Sequence, residues 1–197
     1  MWVDVLLLGQ LARRPAHGYE LRRRIEAATG IKLHNNSLYP ALKRFGEAGA
    51  VTRTLEPQEG RPPRHVYTLT DVGRELLHDQ LADLPDELAG DEAEFLARLA
   101  GFGRLTPAER RAVLDARGRV LAERRARLAG LAEAAAPASA DDPDAADDPD
   151  ATDDPWAALV LDEVLRRIRE EQGWLDRLAL RADDPTTTDV RTEERQR

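Results

Sequence analysis

Residues 35–49 read NNSLYPALKRFGEAG, and the apolar residues in this stretch recur at the spacing of a helix. The i, i+3, i+4, i+7 pattern of a buried helix face is filled by Leu38, Ala41, Leu42 and Phe45. The positions that fall elsewhere on the helix surface are Ser37, Tyr39, Lys43 and Arg44. The sequence therefore predicts a short helix with one apolar face and one polar, aromatic and basic face.

The ends of this helix are also marked in the sequence. Either Asn36 or Ser37 can cap its N-terminus, because both side chains accept a hydrogen bond from a free backbone N–H. With Ser37 as the cap, Pro40 occupies the third helical position, where its missing N–H removes no hydrogen bond. Gly49 marks the C-terminal end.

Two more helices are predicted before this one. The first is amphipathic, ends near Pro15, and carries Val3, Leu6, Leu7, Gln10 and Leu11. After a turn at residues 16–19, a second helix ends at Gly30 and carries Tyr19, Leu21, Ile25 and Ala28. Three short helices with short connections are typical of a helix-turn-helix unit.

Beyond Gly49 the apolar period changes from that of a helix to that of a strand. Residues 51–55 and 65–69 are rich in β-branched and aromatic residues, and a loop at residues 56–64 separates them. Thr70 can cap the helix that follows, with Asp71 in its first turn. A hairpin directly after a helix-turn-helix unit predicts a wing, so residues 1–84 are predicted to form a winged helix-turn-helix domain.

Three sequence blocks carry a family resemblance. They are Pro15-Ala16-His17-Gly18-Tyr19-Glu20-Leu21, Ser37-Leu38-Tyr39-Pro40-Ala41-Leu42-Lys43-Arg44, and Arg61-Pro62-Pro63-Arg64 followed by Tyr67, Leu69, Thr70 and Gly73. In this order and spacing they resemble the PadR family. The resemblance implies a winged-helix transcriptional regulator, usually a repressor, that works as a dimer.

The exposed face of the third helix, the wing and the start of the second helix supply the predicted DNA-binding residues: Ser37, Tyr39, Lys43, Arg44, Arg61, Arg64, Tyr19 and Arg22. Each has a structural alternative. A basic helix face can be merely solvated, the wing can be an ordinary polar hairpin, and Arg22 can be a solvated charge. For Tyr19 the first interpretation is a side chain packed at the entry of the second helix.

The second half of the chain is predicted to be helical. Asp91 with Glu94 and Thr106 with Glu109 have the spacing of capping boxes. Residues 85–132 and 155–180 carry long apolar stripes without enough partners for a compact core, which favours burial against a second chain. We therefore expect a C-terminal helical dimerisation domain, and the fold class is mainly α with a small β-hairpin wing.

Residues 133–154 separate these two parts and carry nine acidic and no basic residues. They contain a near-repeat of Asp, Pro and Ala, which predicts a disordered acidic linker. The functional alternative is a Ca²⁺-binding loop or an acidic strip that mimics DNA, although the glycine and glutamate of a Ca²⁺ loop are missing. Residues 181–197 are predicted to be a flexible charged tail.

The net charge of −8 is unevenly distributed, because residues 1–80 carry 12 basic against 9 acidic residues. The N-terminal part is therefore positive, as a DNA-binding domain should be. The chain has no cysteine, and its four histidines show neither metal-ligand spacing nor a catalytic arrangement. We expect no enzymatic activity, no cofactor and no metal. The N-terminal apolar run is too short for a membrane span, so a cytoplasmic, nucleoid-associated protein is predicted.

The resemblance also implies a small aromatic effector, for which Trp2, Trp156 and Trp174 are the candidate stacking residues, with plain packing as the alternative. The sequence thus predicts a sequence-specific DNA-binding regulator, a ligand-responsive repressor acting as a homodimer on a palindromic operator. A winged-helix module that binds another protein, without specific DNA binding, is the alternative.

Overall fold

The structure is a computed structural model that describes residues 2–30, 32–58, 61–135 and 155–183. Its helices are α1 (Trp2–Leu11), α2 (Gly18–Thr29), α3 (Asn35–Glu47), α4 (Asp71–Ala82), α5 (Asp86–Ala89), α6 (Glu92–Leu99), α7 (Pro107–Ala135) and α8 (Pro155–Ala182). Its strands are β1 (Ala16–His17), β2 (Val51–Gln58) and β3 (Arg61–Leu69). The predicted fold class, mainly helical with a β-hairpin wing, is confirmed.

Helix α1 lies at the centre of the N-terminal domain. It contacts α2, α3, α4, β3 and α6. Its buried residues are Val3, Asp4, Val5, Leu7, Leu8 and Leu11, which cover more than half of its circumference. The predicted amphipathic stripe was therefore too narrow, because Val5 and Leu8 lie outside it and are also buried.

The sheet has three antiparallel strands in the order β1-β3-β2. Residues 16–19 were predicted to be only a turn, but Ala16 and His17 pair with Tyr67 and Val66 of β3. The predicted loop at residues 56–64 was also too long, because β2 and β3 extend through most of it. The pairing is irregular between Glu56 and Gln58, where Pro57 has no N–H to donate.

The junction between α3 and α4 is tight. Gly49 adopts a left-handed conformation with φ 70°, as the predicted helix end requires. The Thr70 hydroxyl donates to the Gly49 carbonyl at 2.7 Å and accepts the Gly73 N–H at 3.1 Å, which confirms Thr70 as the cap of α4. A Cβ at Gly73 would lie 2.1 Å from the Ala50 carbonyl oxygen, so only glycine fits.

A backbone hydrogen bond from α1 to one member of a buried ion pair in α6 links the N-terminal domain to the helices that follow it. Asp91 caps α6 through the Ala93 and Glu94 N–H groups, as predicted. The predicted capping box is wrong in its second half, since the Glu94 carboxylate does not return to Asp91. It accepts the Trp2 N–H at 2.6 Å and the Arg98 guanidinium at 2.8 Å instead.

Helices α7 and α8 pair along their lengths and share a second core with α5 and α6, built from large apolar residues that include Phe95, Val113, Leu114, Leu121, Ile168 and Leu175. The capping box of α7 is confirmed, because the Thr106 N–H donates to Glu109 at 2.7 Å and the Glu109 N–H donates to the Thr106 hydroxyl at 3.3 Å. The first of these bonds is the main reason that the pKa of Glu109 lies below its ordinary value.

Two buried arginines also belong to this second core, and neither was predicted from the sequence. The Arg110 guanidinium donates to the Phe102 carbonyl at 2.8 Å. Arg117 donates to the Ala89 carbonyl at 2.6 Å and pairs with Glu171 at 2.8 Å. Helix α7 continues to Ala135, past the predicted boundary at 132, whereas the predicted acidic linker beyond that residue and the tail beyond Asp183 lie outside the described residues.

Substitution of Gly73 tests the close packing between the start of α4 and Ala50. We expect Gly73→Ala to lower the free energy of unfolding by about 1–3 kcal/mol, because the added methyl group must displace backbone. Gly46→Ala is the matched control: its added Cβ would meet only the Val51 carbonyl oxygen at 3.9 Å. This control should stabilise the protein by about 0.5–1 kcal/mol through helix propensity. Urea unfolding monitored by circular dichroism checks both, and equal stability of the two variants would contradict the packing described.

Candidate nucleic-acid interface

Helix α3 divides into a buried and an exposed face, as its sequence predicted. Leu38, Ala41, Leu42 and Phe45 are buried in the core around α1. The exposed side carries Ser37, Tyr39, Lys43 and Arg44. A helix this short, about 20 Å long at 1.5 Å per residue, has the dimensions of an element that fits a DNA major groove.

The N-terminus of α3 differs from the prediction. The helix begins at Asn35 with His34 at the cap position, and neither Asn36 nor Ser37 caps it. Pro40 therefore lies in the sixth helical position and removes the bond that its N–H would have made to the Asn36 carbonyl. Asn36 is exposed, so water can reach that carbonyl.

Tyr39 packs against the first residue of α2. A Cβ at Gly18 would lie 3.0 Å from Tyr39 Cε1 and 3.3 Å from its hydroxyl oxygen, so a larger residue there would have to displace the Tyr39 ring. Tyr67 of β3 lies near Tyr39, and burial of Tyr67 raises the pKa of its hydroxyl group above the ordinary value. The Tyr39 side chain remains almost half exposed. Its position is thus set by packing while one edge faces solvent.

Tyr19 and Arg22 extend the exposed surface onto α2. Tyr19 is 58% exposed, so the first interpretation of this residue, a packed side chain, was wrong. The Arg22 guanidinium lies 5.4 Å from the centre of the Tyr19 ring and donates to the Asn35 side chain at 3.1 Å. Arg22 therefore joins the start of α2 to the start of α3.

The two basic residues of α3 have different surroundings. The Lys43 side chain is 79% exposed and lies 3.7 Å from the Glu47 carboxylate, one helical turn away. The Arg44 side chain is 54% exposed and donates at 2.7 Å to Asp4, whose side chain is only 10% exposed. Lys43 is a solvated cation, whereas Arg44 also anchors α3 to α1.

The wing places Arg64 beside acidic and imidazole groups. Arg64 Nε lies 3.3 Å from Glu56 Oε2 across the β2–β3 pair, and His17 Nε2 of β1 lies 3.3 Å from the same oxygen. Arg61 begins β3, and its side chain lies outside the described part of the structure. Arg64 was predicted from the sequence, whereas its contacts with Glu56 and His17 were not, because Glu56 was expected in a loop and His17 in a turn.

The three tryptophans do not form one site within a single chain. Trp2 packs against the core around α1, and Trp174 packs edge-on against Phe95 with ring centres 6.0 Å apart. Trp156 is 73% exposed and precedes Trp174 by 18 residues on α8, about 27 Å along the helix axis. The described part of the chain also contains no group of three or more His, Asp or Glu residues that could hold a metal ion.

This arrangement defines a class of protein. Three helices, of which the last exposes a basic face, are followed by a two-stranded wing, and this is a winged helix-turn-helix domain. Residues 7–79 match the family model described as "Transcriptional regulator PadR-like family". The match assigns residues 7–79, and not the C-terminal helices, to a PadR-like winged-helix domain.

Half of the chain is similar to a curated protein. A curated protein of Streptomyces fradiae, "Uncharacterized 37.1 kDa protein in transposon TN4556", is 38% identical over 98 residues, half of this chain. The chain spans 24% of the length of that relative.

Solved structures also match. The Bacillus subtilis PadR structure in complex with operator DNA is 24% identical, with 91% of this chain and 98% of that chain covered and a TM-score of 0.39. A PadR family transcriptional regulator of Eggerthella lenta is 36% identical, with 39% of this chain and 65% of that chain covered and a TM-score of 0.35. Among the described residues, no helix is both long and apolar enough to cross a membrane.

Arg44 and Lys43 should contribute differently to the free energy of unfolding of the protein. We expect Arg44→Gln to lower the free energy of unfolding by about 1 kcal/mol, since Asp4 loses its guanidinium partner in a mostly buried position. Lys43→Gln should change it by less than about 0.5 kcal/mol, because both members of that pair are exposed. Parallel thermal and urea unfolding curves test this, and equal losses in the two variants would contradict an anchoring role for Arg44.

Proposed function

We propose that this chain is a DNA-binding repressor that acts as a homodimer on a two-fold symmetric operator and responds to a small aromatic effector. The observation that carries the proposal is the exposed face of α3 beside the wing, on a domain that belongs to a family of transcriptional regulators. Helix α3 would enter the major groove, and the wing would lie over the adjacent minor groove.

On α3, we assign direct DNA contacts to Ser37, Tyr39 and Lys43, because these side chains are exposed. A hydroxyl group can donate to phosphate or reach base edges, and an ammonium group attracts phosphate. We assign Arg44 a double role: its exposed part can contact phosphate while its bond to Asp4 holds the angle of α3.

Contacts outside α3 would come from the wing and from α2. Arg61 and Arg64 flank Pro62-Pro63 in β3, where cations of a wing can approach the minor groove. Tyr19 and Arg22 would contact the phosphate backbone on the other side of α3. The net positive charge of residues 1–80 supports this assignment, because phosphate neutralisation dominates affinity for DNA.

A second copy of the chain would cover the apolar surface of the C-terminal helices. Large side chains stay exposed near the C-terminal end of α7 and along the first turns of α8: Leu131, Trp156, Leu159 and Val160. An apolar patch of this kind marks an interaction site. Paired two-fold through it, two copies would present their α3 helices to major grooves about one turn of DNA apart, roughly 34–36 Å.

The proposed effector would bind near one of the tryptophans. Since Trp156 and Trp174 are about 27 Å apart along α8, both could line one pocket only if different protomers supplied them. Trp156 lies within the proposed dimer surface, whereas Trp2 and Trp174 lie at the two cores. Release of bound DNA by aromatic compounds would identify the effector class.

DNA binding can be tested with duplex DNA from the region upstream of the protein's own coding sequence. We expect retardation in a mobility-shift assay at low salt, and a loss of affinity by orders of magnitude between about 50 and 200 mM salt. Lys43→Ala and Arg64→Ala should each weaken binding and reduce the salt slope by about one unit. Arg74→Ala, on α4 and paired with Asp71, is the control that should bind normally.

Absence of retardation by the wild-type chain at low salt would contradict the DNA assignment. It would favour a winged-helix module that binds a protein partner instead. Normal binding by both Lys43→Ala and Arg64→Ala would refute the surface assigned here, even if the chain binds DNA.

The dimer surface is tested separately. We expect Val160→Glu to shift the protein from dimer to monomer in sedimentation velocity, because a charge would be buried at the apolar contact. Val72→Glu is the matched control, since Val72 of α4 is also exposed but lies in the N-terminal domain. A dimer that survives Val160→Glu and Leu159→Glu together would place the interface elsewhere.

A further inference from the structure

Asn36 lies in the first turn of α3, on the side of the helix that faces away from the core. At about 3.6 residues per turn, it lies about 170° around the helix axis from the centre of the buried face. That face is formed by Leu38, Ala41, Leu42 and Phe45. Asn36 is exposed, and we find no hydrogen-bond partner for its side-chain amide among the described residues. Its donor and its acceptor are therefore both available to a ligand.

The residues Ser37, Tyr39 and Arg44 lie to either side of Asn36. At the same helical period they are about 90–110° from the centre of the buried face. Their contacts agree with these angles, because Tyr39 packs against α2 on one side and Arg44 bonds to α1 on the other. When α3 lies in a major groove, side chains at such angles reach the phosphate backbones that form the walls of the groove, whereas Asn36 faces the base edges.

The charges of α3 favour the approach of its N-terminal end to DNA. Its first turn contains no acidic residue, and the free N–H groups of that turn carry a partial positive charge. The last residue of α3 is Glu47, which lies on the same side of the helix as Asn36, about 170° from the centre of the buried face. The Glu47 carboxylate repels phosphate and lies 3.7 Å from the Lys43 ammonium. The first turn, with Asn36, is therefore the part of the helix that comes closest to the bases.

The start of α3 is held in place by α2. Arg22 Nη1 donates to Asn35 Oδ1 at 3.1 Å, and the Leu33 N–H donates to the Glu26 carboxylate at 3.1 Å. A binding group on a segment that is already fixed loses less entropy when it binds. The two adjacent asparagines thus differ: the amide of Asn35 is used within the protein, whereas that of Asn36 has no such partner in the described part of the chain.

We propose that Asn36 recognises one adenine in each half-site of the operator, while Ser37, Tyr39 and Arg44 contact the DNA backbone on either side of it. The inference rests on the proposed DNA-binding function and adds the base that α3 reads. A carboxamide has an acceptor and a donor in one plane, and adenine presents the matching N6 donor and N7 acceptor in the major groove. Guanine presents two acceptors there, so it can form only one of the two bonds.

The test removes the amide of Asn36, the N7 atom of one adenine, or both. Affinity of the full-length chain for the upstream duplex is measured by mobility shift, and each adenine of the protected segment is replaced singly by 7-deaza-adenine, which has carbon in place of N7. Replacement of the recognised adenine in one half-site should weaken wild-type binding roughly three- to tenfold, the size of one hydrogen bond. Asn36→Ala should bind the unmodified duplex more weakly than wild type does, and should bind the modified and unmodified duplexes equally well.

Two variants of α3 are matched controls. Asn35→Ala removes the neighbouring amide and should keep the wild-type sensitivity to 7-deaza-adenine. Lys43→Ala should weaken binding to the modified and unmodified duplexes by the same factor. All three substituted side chains are exposed, so circular dichroism should show the helix content of the wild type in each variant.

The outcomes distinguish this inference from the proposed function. If wild type binds the duplex but no single adenine replacement weakens binding, readout by Asn36 is refuted while DNA binding stands. The same holds if the effect of 7-deaza-adenine persists undiminished in Asn36→Ala. Loss of that effect in Asn35→Ala as well refutes the assignment to Asn36. Absence of binding by wild type at low salt refutes the proposed function itself.

Discussion

The burial of α1 determines how the N-terminal domain is assembled. This helix is apolar around most of its circumference, so it can be stable only when other elements surround it. The elements that do so are α2, α3, α4, α6 and β3. Its few polar groups then set the position of its neighbours: Asp4 holds Arg44 of α3, and the Trp2 N–H donates to Glu94 of α6. One helix thus fixes the candidate recognition helix and the junction with the C-terminal helices.

Carboxylates shape the candidate DNA surface as much as cations do. Three of its basic residues have an acidic partner, and the partners differ in exposure. Asp4 is mostly buried and orients Arg44, Glu56 is half exposed beside Arg64, and Glu47 is solvated beside Lys43. An ion pair can therefore be an anchor or a weak surface contact, depending on burial. Exposed charge alone does not indicate which cation meets phosphate.

Local patterns predicted the features that depend on a few neighbouring residues. These include the buried face of α3, its end at Gly49, the Thr70 cap and the Thr106–Glu109 capping box. Features that depend on distant partners were missed. Ser37 has the side chain of a cap, but the cap position lies three residues earlier, at His34. Glu94 fits a capping box, but its carboxylate bonds to Trp2 and Arg98. Strand β1 exists only because β3 pairs with it, and two residues carry no periodicity that could reveal a strand.

If two chains bind an operator as proposed, their α3 helices enter successive major grooves. Methylation protection with dimethyl sulfate can detect this, because the reagent modifies guanine N7, which faces the major groove. On a bound operator we expect two clusters of protected guanines, related by two-fold symmetry and separated by about one turn of DNA. A retarded complex in which guanine N7 atoms stay fully reactive, or in which only one cluster is protected, would contradict it.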